Sequence, residues 1–155
     1  MHSYEKTGIL SKKDLKLPSK KQLEKGVAII ECVQEIPCNP CVDSCPVNAI
    51  SMKDINAPPI TDYDTCIGCG KCVGVCPGLA IFLIKIKENK ALITLQYEFF
   101  PIPEVETKVN ALNREGYVVG KAIVKKVVKK GKTMVVTIEA SADLAMNIRN
   151  IKVDS

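Results

Sequence analysis

Apolar residues in this 155-residue chain fall in short blocks rather than long stripes. Val27-Ala28-Ile29-Ile30, behind Gly26, is a continuous apolar run of strand length and reads as a buried strand. Ala80-Ile81-Phe82-Leu83-Ile84 is a second run of that kind. Between them, Ala49-Ile50-Ser51-Met52 and Pro59-Ile60-Thr61-Asp62 predict a hairpin turned through residues 54–58.

From Lys87 onward the pattern becomes β-like throughout. Ala91 to Tyr97 is largely apolar, Pro101 and Pro103 interrupt the pattern after it, and Val105 to Leu112 leads into the turn Asn113-Arg114-Glu115-Gly116. Tyr117 to Val128 and Thr133 to Ala140 predict a hairpin across Lys129-Lys130-Gly131-Lys132. Met134, Val136 and Ile138 alternate with Val135, Thr137 and Glu139, the period of a strand. Ile123, Val124, Val127 and Val128 also fit helical spacing, but their β-branching and the adjacent glycine turn favour a strand. Ser141 stands as an N-cap for a short helix over residues 142–148, with Asp143 in its first turn.

Residues 1–26 carry Gly8, Pro18, Ser19 and Gly26, which interrupt any helical period, so an extended basic arm is expected there. The expected organisation is an arm over 1–26, a cysteine-rich module over 27–86, and a small β-rich docking domain over 87–155. The expected fold class is α+β, with the last part an antiparallel β-barrel or curled sheet.

With three Phe, four Tyr and no Trp, little aromatic core is available, and β-branched packing has to supply the order. Met1 to Lys25 holds no apolar run of seven residues, and no run of 18 occurs anywhere, so a cytoplasmic chain without a membrane span is expected. Charge is uneven. Residues 1–26 carry seven Lys against three acids, residues 27–86 three Lys against six, and residues 87–155 twelve Lys plus Arg against eight. An acidic middle therefore lies between basic flanks. Only two arginines occur, Arg114 and Arg149, which argues against a nucleic-acid surface and for a solvated lysine face or a docking face. His2 sits at the terminus, away from any candidate chemistry.

The chemistry lies in eight cysteines. Cys66, Cys69, Cys72, Cys76 and Pro77 have the C-x2-C-x2-C-x3-C-P spacing that wraps three thiolates round one iron–sulfur cluster and sends the fourth to another. Cys38, Cys41, Cys45 and Pro46 repeat Cys69, Cys72, Cys76 and Pro77 at an offset of 31 residues, and Ala49-Ile50 repeats Ala80-Ile81. The place of Cys66 is taken by Glu35, while a further thiol stands at Cys32. Zinc ribbons use paired CxxC knuckles and need neither the third cysteine nor the Cys-Pro step. Four disulfides would be reduced in the cytoplasm. Gly68, Gly70 and Gly74 leave room for tight loops, and the prolines after Cys45 and Cys76 favour an extended cysteine that points away from its own loop.

On these residues, the stretch from about 27 to 86 resembles a bacterial-type ferredoxin domain with two [4Fe-4S] clusters. The resemblance implies that Val27–Ile30 pairs with Ala80–Ile84 and closes the module. It implies one cluster on Cys66, Cys69, Cys72 and Cys45, and the other on Cys32, Cys38, Cys41 and Cys76. The run Glu31-Cys32-Val33-Gln34-Glu35-Ile36-Pro37-Cys38-Asn39-Pro40-Cys41 is similar to the small iron–sulfur subunits of FAD-dependent amino-acid and amine dehydrogenases, of the proline, hydroxyproline and sarcosine kind. That similarity implies electron transfer without catalysis by this chain, with FAD in a partner subunit. The alternatives are a free-standing ferredoxin with an accessory barrel, and an iron–sulfur redox sensor or nucleic-acid binder. In the first loop Asn39 and Pro40 replace Gly70 and Lys71, and Glu35 adds negative charge. Fewer donors and more negative charge predict the lower reduction potential for the cluster at Cys38 and Cys41. No Gly-rich phosphate loop stands out in residues 87–155, since Gly116 and Gly120 precede no helix.

Overall fold

The computed structural model describes residues 18–31, 40–53, 59–76, 80–98, 102–130 and 133–153. Outside these lie His2 and most of the arm, Cys32, Glu35, Cys38, Asn39 and Pro77, the turn at 54–58, Pro101, and the Gly131-Lys132 turn.

Lys20–Lys25 forms a six-residue helix, α1, where the interrupting residues suggested none. The interruptions are themselves the reason. The Ser19 side chain accepts from the Gln22 backbone N–H, the Gln22 side chain accepts from the Ser19 N–H, and Gly26 at φ 94° closes the far end.

The strands are β1 (Val27–Ile30), β2 (Ile50–Ser51), β3 (Ile60–Thr61), β4 (Ile81–Lys87), β5 (Lys90–Tyr97), β6 (Lys108–Leu112), β7 (Val118–Lys130), β8 (Thr133–Ser141) and β9 (Asn150–Lys152). Seven of them form one antiparallel sheet in the order β1-β4-β5-β8-β7-β6-β9, and β2 pairs with β3 separately. β1 pairs with β4 from Val27↔Ile84 to Ile30↔Ile81, and β4 then pairs with β5. β4 thus belongs to the cysteine module by its first half and to the later sheet by its second, so the ladder is continuous across residues 86 and 87.

Alternation decides the faces. Ala91, Ile93 and Leu95 of β5 meet Ala140, Ile138 and Val136 of β8 in register, all buried, and join Ile84, Val124, Ile148 and Ile151 in one core. On the other face Thr94 and Thr137 are partners, with their hydroxyls 2.9 Å apart. Tyr97 lies in the same core, and its hydroxyl meets the backbone at Val153, so the far end of the sheet returns to β5. Burial pushes that phenol upward, and the Val153 hydrogen bond offsets part of the shift.

The helix expected over 142–148 shrinks to a 3₁₀ turn at Ala142–Leu144 followed by turns. Ser141 makes no cap to the backbone; its hydroxyl bonds the Asp143 carboxylate instead. The chain then drops Ile148 into the core and enters β9, a strand too short for its pattern to register in sequence.

Candidate metal centre

Two five-residue helices carry described cysteines: α2 (Pro40–Ser44) and α3 (Lys71–Val75). Each is followed directly by a cysteine, Cys45 after α2 and Cys76 after α3. Pro40 is the first residue of α2, where a missing N–H removes no helical bond. Lys71 opens α3 at the equivalent place, behind Gly70 at φ 78°. Gly74 lies inside α3 rather than in a turn. Gly68 matters most, because at φ +71° a Cβ there would stand 2.8 Å from the carbonyl oxygen of Gly26.

The sequence repeat is also a repeat in space. Glu31 N–H donates to Ala80 O at 2.7 Å, and Asp62 N–H donates to Ala49 O at 2.7 Å, each copy's strand closing on the other copy's Cys-Pro loop. Within those loops Ala49 N–H reaches Cys45 Sγ at 3.3 Å and Ala80 N–H reaches Cys76 Sγ at 3.4 Å.

Cys45, Cys66, Cys69 and Cys72 line one cavity that opens to solvent, together with Ala28, Val47, Ala49, Ile50, Ile67 and Gly70. Three of these thiols come from the second loop and one from the first. Cys66 and Cys72 are buried and Cys69 is exposed. Cys41 is buried in α2 and Cys76 is half-buried at the end of α3; Cys32 and Cys38 are outside the described residues.

This donor set fits an iron–sulfur cluster. Thiols are its only ionisable groups, and backbone amides are aimed at their sulfurs: Ala28 N–H lies 3.4 Å from Cys66 Sγ. At Cys45 burial is the largest influence and raises the thiol pKa, but the N–H groups of Ala49, Val47, Ile50 and Asn48 together outweigh it and bring the value below 9.0. Asn48, at φ 55°, turns the chain so that these amides converge. At Cys72 the balance is opposite. Burial, then charge on Cys66, Cys69, Cys41 and Cys45, pushes its thiol from 9.0 up to about 12. So many thiolates packed together need cations between them.

The family model of the 4Fe-4S dicluster domain covers residues 31–80. This chain carries a 4Fe-4S ferredoxin-type domain. Similar to it is a ferredoxin-type protein NapF of Haemophilus influenzae, 36% identical over 77 residues, which are 48% of this chain and 43% of that one. So are the polyferredoxin-like subunit of an aliphatic sulfonate oxidoreductase of Pyrococcus furiosus, 35% identical over 57 residues (37% and 33%), and an uncharacterized ferredoxin of Methanocaldococcus jannaschii, 41% identical over 59 residues (38% and 38%). The chain spans less than half the length of these curated relatives. No solved structure matches it significantly. The ferredoxin-type domain transfers electrons, and its [4Fe-4S] chemistry is one-electron reduction and oxidation.

Two features tie the domain to the rest of the sheet, and the sequence pointed to neither. Glu31 is buried and takes both arginines of the chain: Arg114 Nε at 2.7 Å on Oε1 and Nη2 at 3.1 Å on Oε2, with Arg149 Nε also on Oε2. Arg149 further donates to Ala145 O at 2.8 Å and Ile148 O at 2.6 Å, and stacks 5.0 Å from the centre of the Phe82 ring. The scarcity of arginine was the available signal. On the outer face of β5, Gln96 donates its amide to Val73 O and, at 2.9 Å, to Cys76 O, the carbonyls ending α3. A lone polar residue in an alternating strand gives no such signal.

Proposed function

We propose that this chain is an electron-transfer subunit of a flavin-dependent dehydrogenase, carrying two [4Fe-4S] clusters and no substrate chemistry of its own. The observation that carries the reading is a cavity lined by thiols of both cysteine loops. In it, Cys45, Cys66, Cys69 and Cys72 hold one cluster; Cys32, Cys38, Cys41 and Cys76 hold the second. Two one-electron centres in one module are suited to drain a two-electron donor such as FAD in a partner chain. Support for the partner comes from the Glu31–Cys41 run and its likeness to dehydrogenase small subunits, and from a relative that is named as an oxidoreductase subunit.

The chain's own residues have three tasks in this reading. Backbone amides at Ala28, Ala49 and Ala80 hold thiolate charge, Gly68 lets the second loop press against Gly26, and Glu31 with its arginines locks the module to the sheet. The test is anaerobic purification of the native complex from the source cell. A brown, iron-loaded chain that travels with an FAD-containing subunit, and whose visible colour bleaches when that subunit's substrate is added, is the expected result. Iron without a flavoprotein assigns a free ferredoxin, and a colourless chain after reconstitution removes the cluster reading altogether.

A further inference from the structure

Thr61 is the second residue of β3 and pairs directly with Ile50 of β2. Residues directly opposite in an antiparallel pair project to the same face. Ile50 lines the cavity of Cys45, Cys66, Cys69 and Cys72, so Thr61 stands on the cavity side of the hairpin. It is 9% exposed, and among the described residues its Oγ1 is the buried side-chain atom that finds no hydrogen-bond partner. Buried hydroxyls are almost always paired, so one that is not calls for a partner supplied from elsewhere.

The duplication provides an internal control. The residue at the matching place in the first copy is Ile30, which pairs with Ile81 just as Thr61 pairs with Ile50. The packing of this position is therefore met by an aliphatic side chain, and the hydroxyl of Thr61 is an addition that shape alone does not require.

We propose that Thr61 donates a hydrogen bond to the sulfur of the iron–sulfur group held by Cys45, Cys66, Cys69 and Cys72, and thereby raises that group's reduction potential. This rests on the cluster reading given above. One electron enters on reduction and no proton moves; the hydroxyl keeps its hydrogen and offers it to sulfur that has become more negative. Ile30 offers nothing of the kind, so the two copies are set apart in potential by this pair of residues as well as by their cysteine loops.

The test uses the full chain, reconstituted anaerobically, as wild type, Thr61→Val and Thr61→Ser, with iron content, thermal melting and a redox titration followed by electron paramagnetic resonance. Thr61→Val is expected to hold the same iron and to melt no lower than wild type. One of its titration waves moves to more negative potential, the equilibrium constant for reduction falling by up to tenfold, or about 59 mV for one electron. Thr61→Ser keeps the wild-type wave. Unmoved waves in an iron-replete Val variant overturn the proposal, as does an equal shift in Ser, which assigns the effect to the lost methyl. Should Thr61→Val not fold, Thr61→Ile, which carries the first copy's own residue, is read in the same way. Failure of the wild type to take up iron is a separate result and defeats the cluster reading instead.

Discussion

Glu31 and Asp62 occupy the same place in the two copies of the cysteine unit, and they do opposite things. Each donates its backbone N–H across to the other copy. Asp62 then spends its side chain at home: Oδ1 accepts from Asp64 N–H at 3.0 Å and Thr65 N–H at 3.4 Å, and Oδ2 accepts from the Thr65 hydroxyl at 2.9 Å. That turn delivers Cys66, whose own N–H bonds Asp62 O at 3.0 Å. Glu31, one methylene longer, reaches out to Arg114 and Arg149 and binds the later sheet. A duplicated position has divided its labour. One copy builds the turn before the first cysteine of its motif; the other has Glu35 at that thiol position, and its Glu31 anchors the later sheet.

The largest expected effect falls on the anchor. Removing one member of a buried ion group strands the others, at a cost of about 3–5 kcal/mol. Glu31→Gln leaves Arg149 buried against Phe82 without its counter-charge, so chemical denaturation should register a loss of that size. Asp62→Asn touches an exposed turn and should lower stability far less while loosening Cys66, read as slower iron uptake. Equal losses in the two variants would erase the distinction between anchor and turn.

Gly68→Ala comes next. Its Cβ would meet a backbone carbonyl at 2.8 Å at a φ of +71°, and neither can yield without moving β1 or the loop. The left-handed conformation alone costs about 1–2 kcal/mol for a residue with a side chain. Iron retention after desalting should drop sharply, with Cys69 the ligand displaced first because it is already exposed.

pH separates the empty chain from the loaded one. Burial and the neighbouring thiols hold Cys72 protonated, raising its value from 9.0 to about 12 in the folded chain. A raised value means the neutral form favours folding: that contribution is whole below 9 and is lost as pH climbs toward 12. Iron-free protein should therefore unfold in base across that window, and loaded protein, whose thiolates are already ionised by metal, should not share the dependence. Asp62 works in the acid direction. The Thr65 hydroxyl and the Asp64 amide depress its value below 3.8, so its contribution is present above that pH and fades as pH falls further. Asp62→Asn should flatten the acid limb, while the base limb stays.

How much of this could be read from residues alone depended on the range of the interactions. The strands were legible because their signals are local: β-branched runs at 27–30 and 81–84, alternation at 134–139, glycine and asparagine at turns. The motif of Cys66, Cys69 and Cys72 was legible because spacing within eleven residues encodes it, whereas the arrival of Cys45 at the same cavity was implied by the family resemblance and not by that spacing. The Glu31 anchor was not, since its partners lie 83 and 118 residues away and nothing in a single arginine announces its acid. The helix expected after Ser141 failed because the need to bury Ile148 and to lay β9 against β6 outweighed a good cap. The helix at Lys20–Lys25 was hidden because the residues that cap it are the same ones that interrupt a helical period; at six residues, caps are most of what a helix has.

The smallest effect is expected at Asn48, and it asks how the Cys-Pro loops differ. The first reads Cys45-Pro46-Val47-Asn48-Ala49 and the second Cys76-Pro77-Gly78-Leu79-Ala80. In the first, positive φ falls on Asn48, and four consecutive amides consequently gather at Cys45. Glycine adopts that conformation freely, so Asn48→Gly should leave melting within about 1 kcal/mol of wild type. It should leave the titration wave of the Cys45 cluster in place. Valine, branched at Cβ, is forced out of that region. Asn48→Val should turn the amides away from sulfur, and with fewer donors the same wave should move negative while the other wave stays. If glycine and valine shift it alike, the asparagine side chain rather than the backbone bend is what Cys45 depends on.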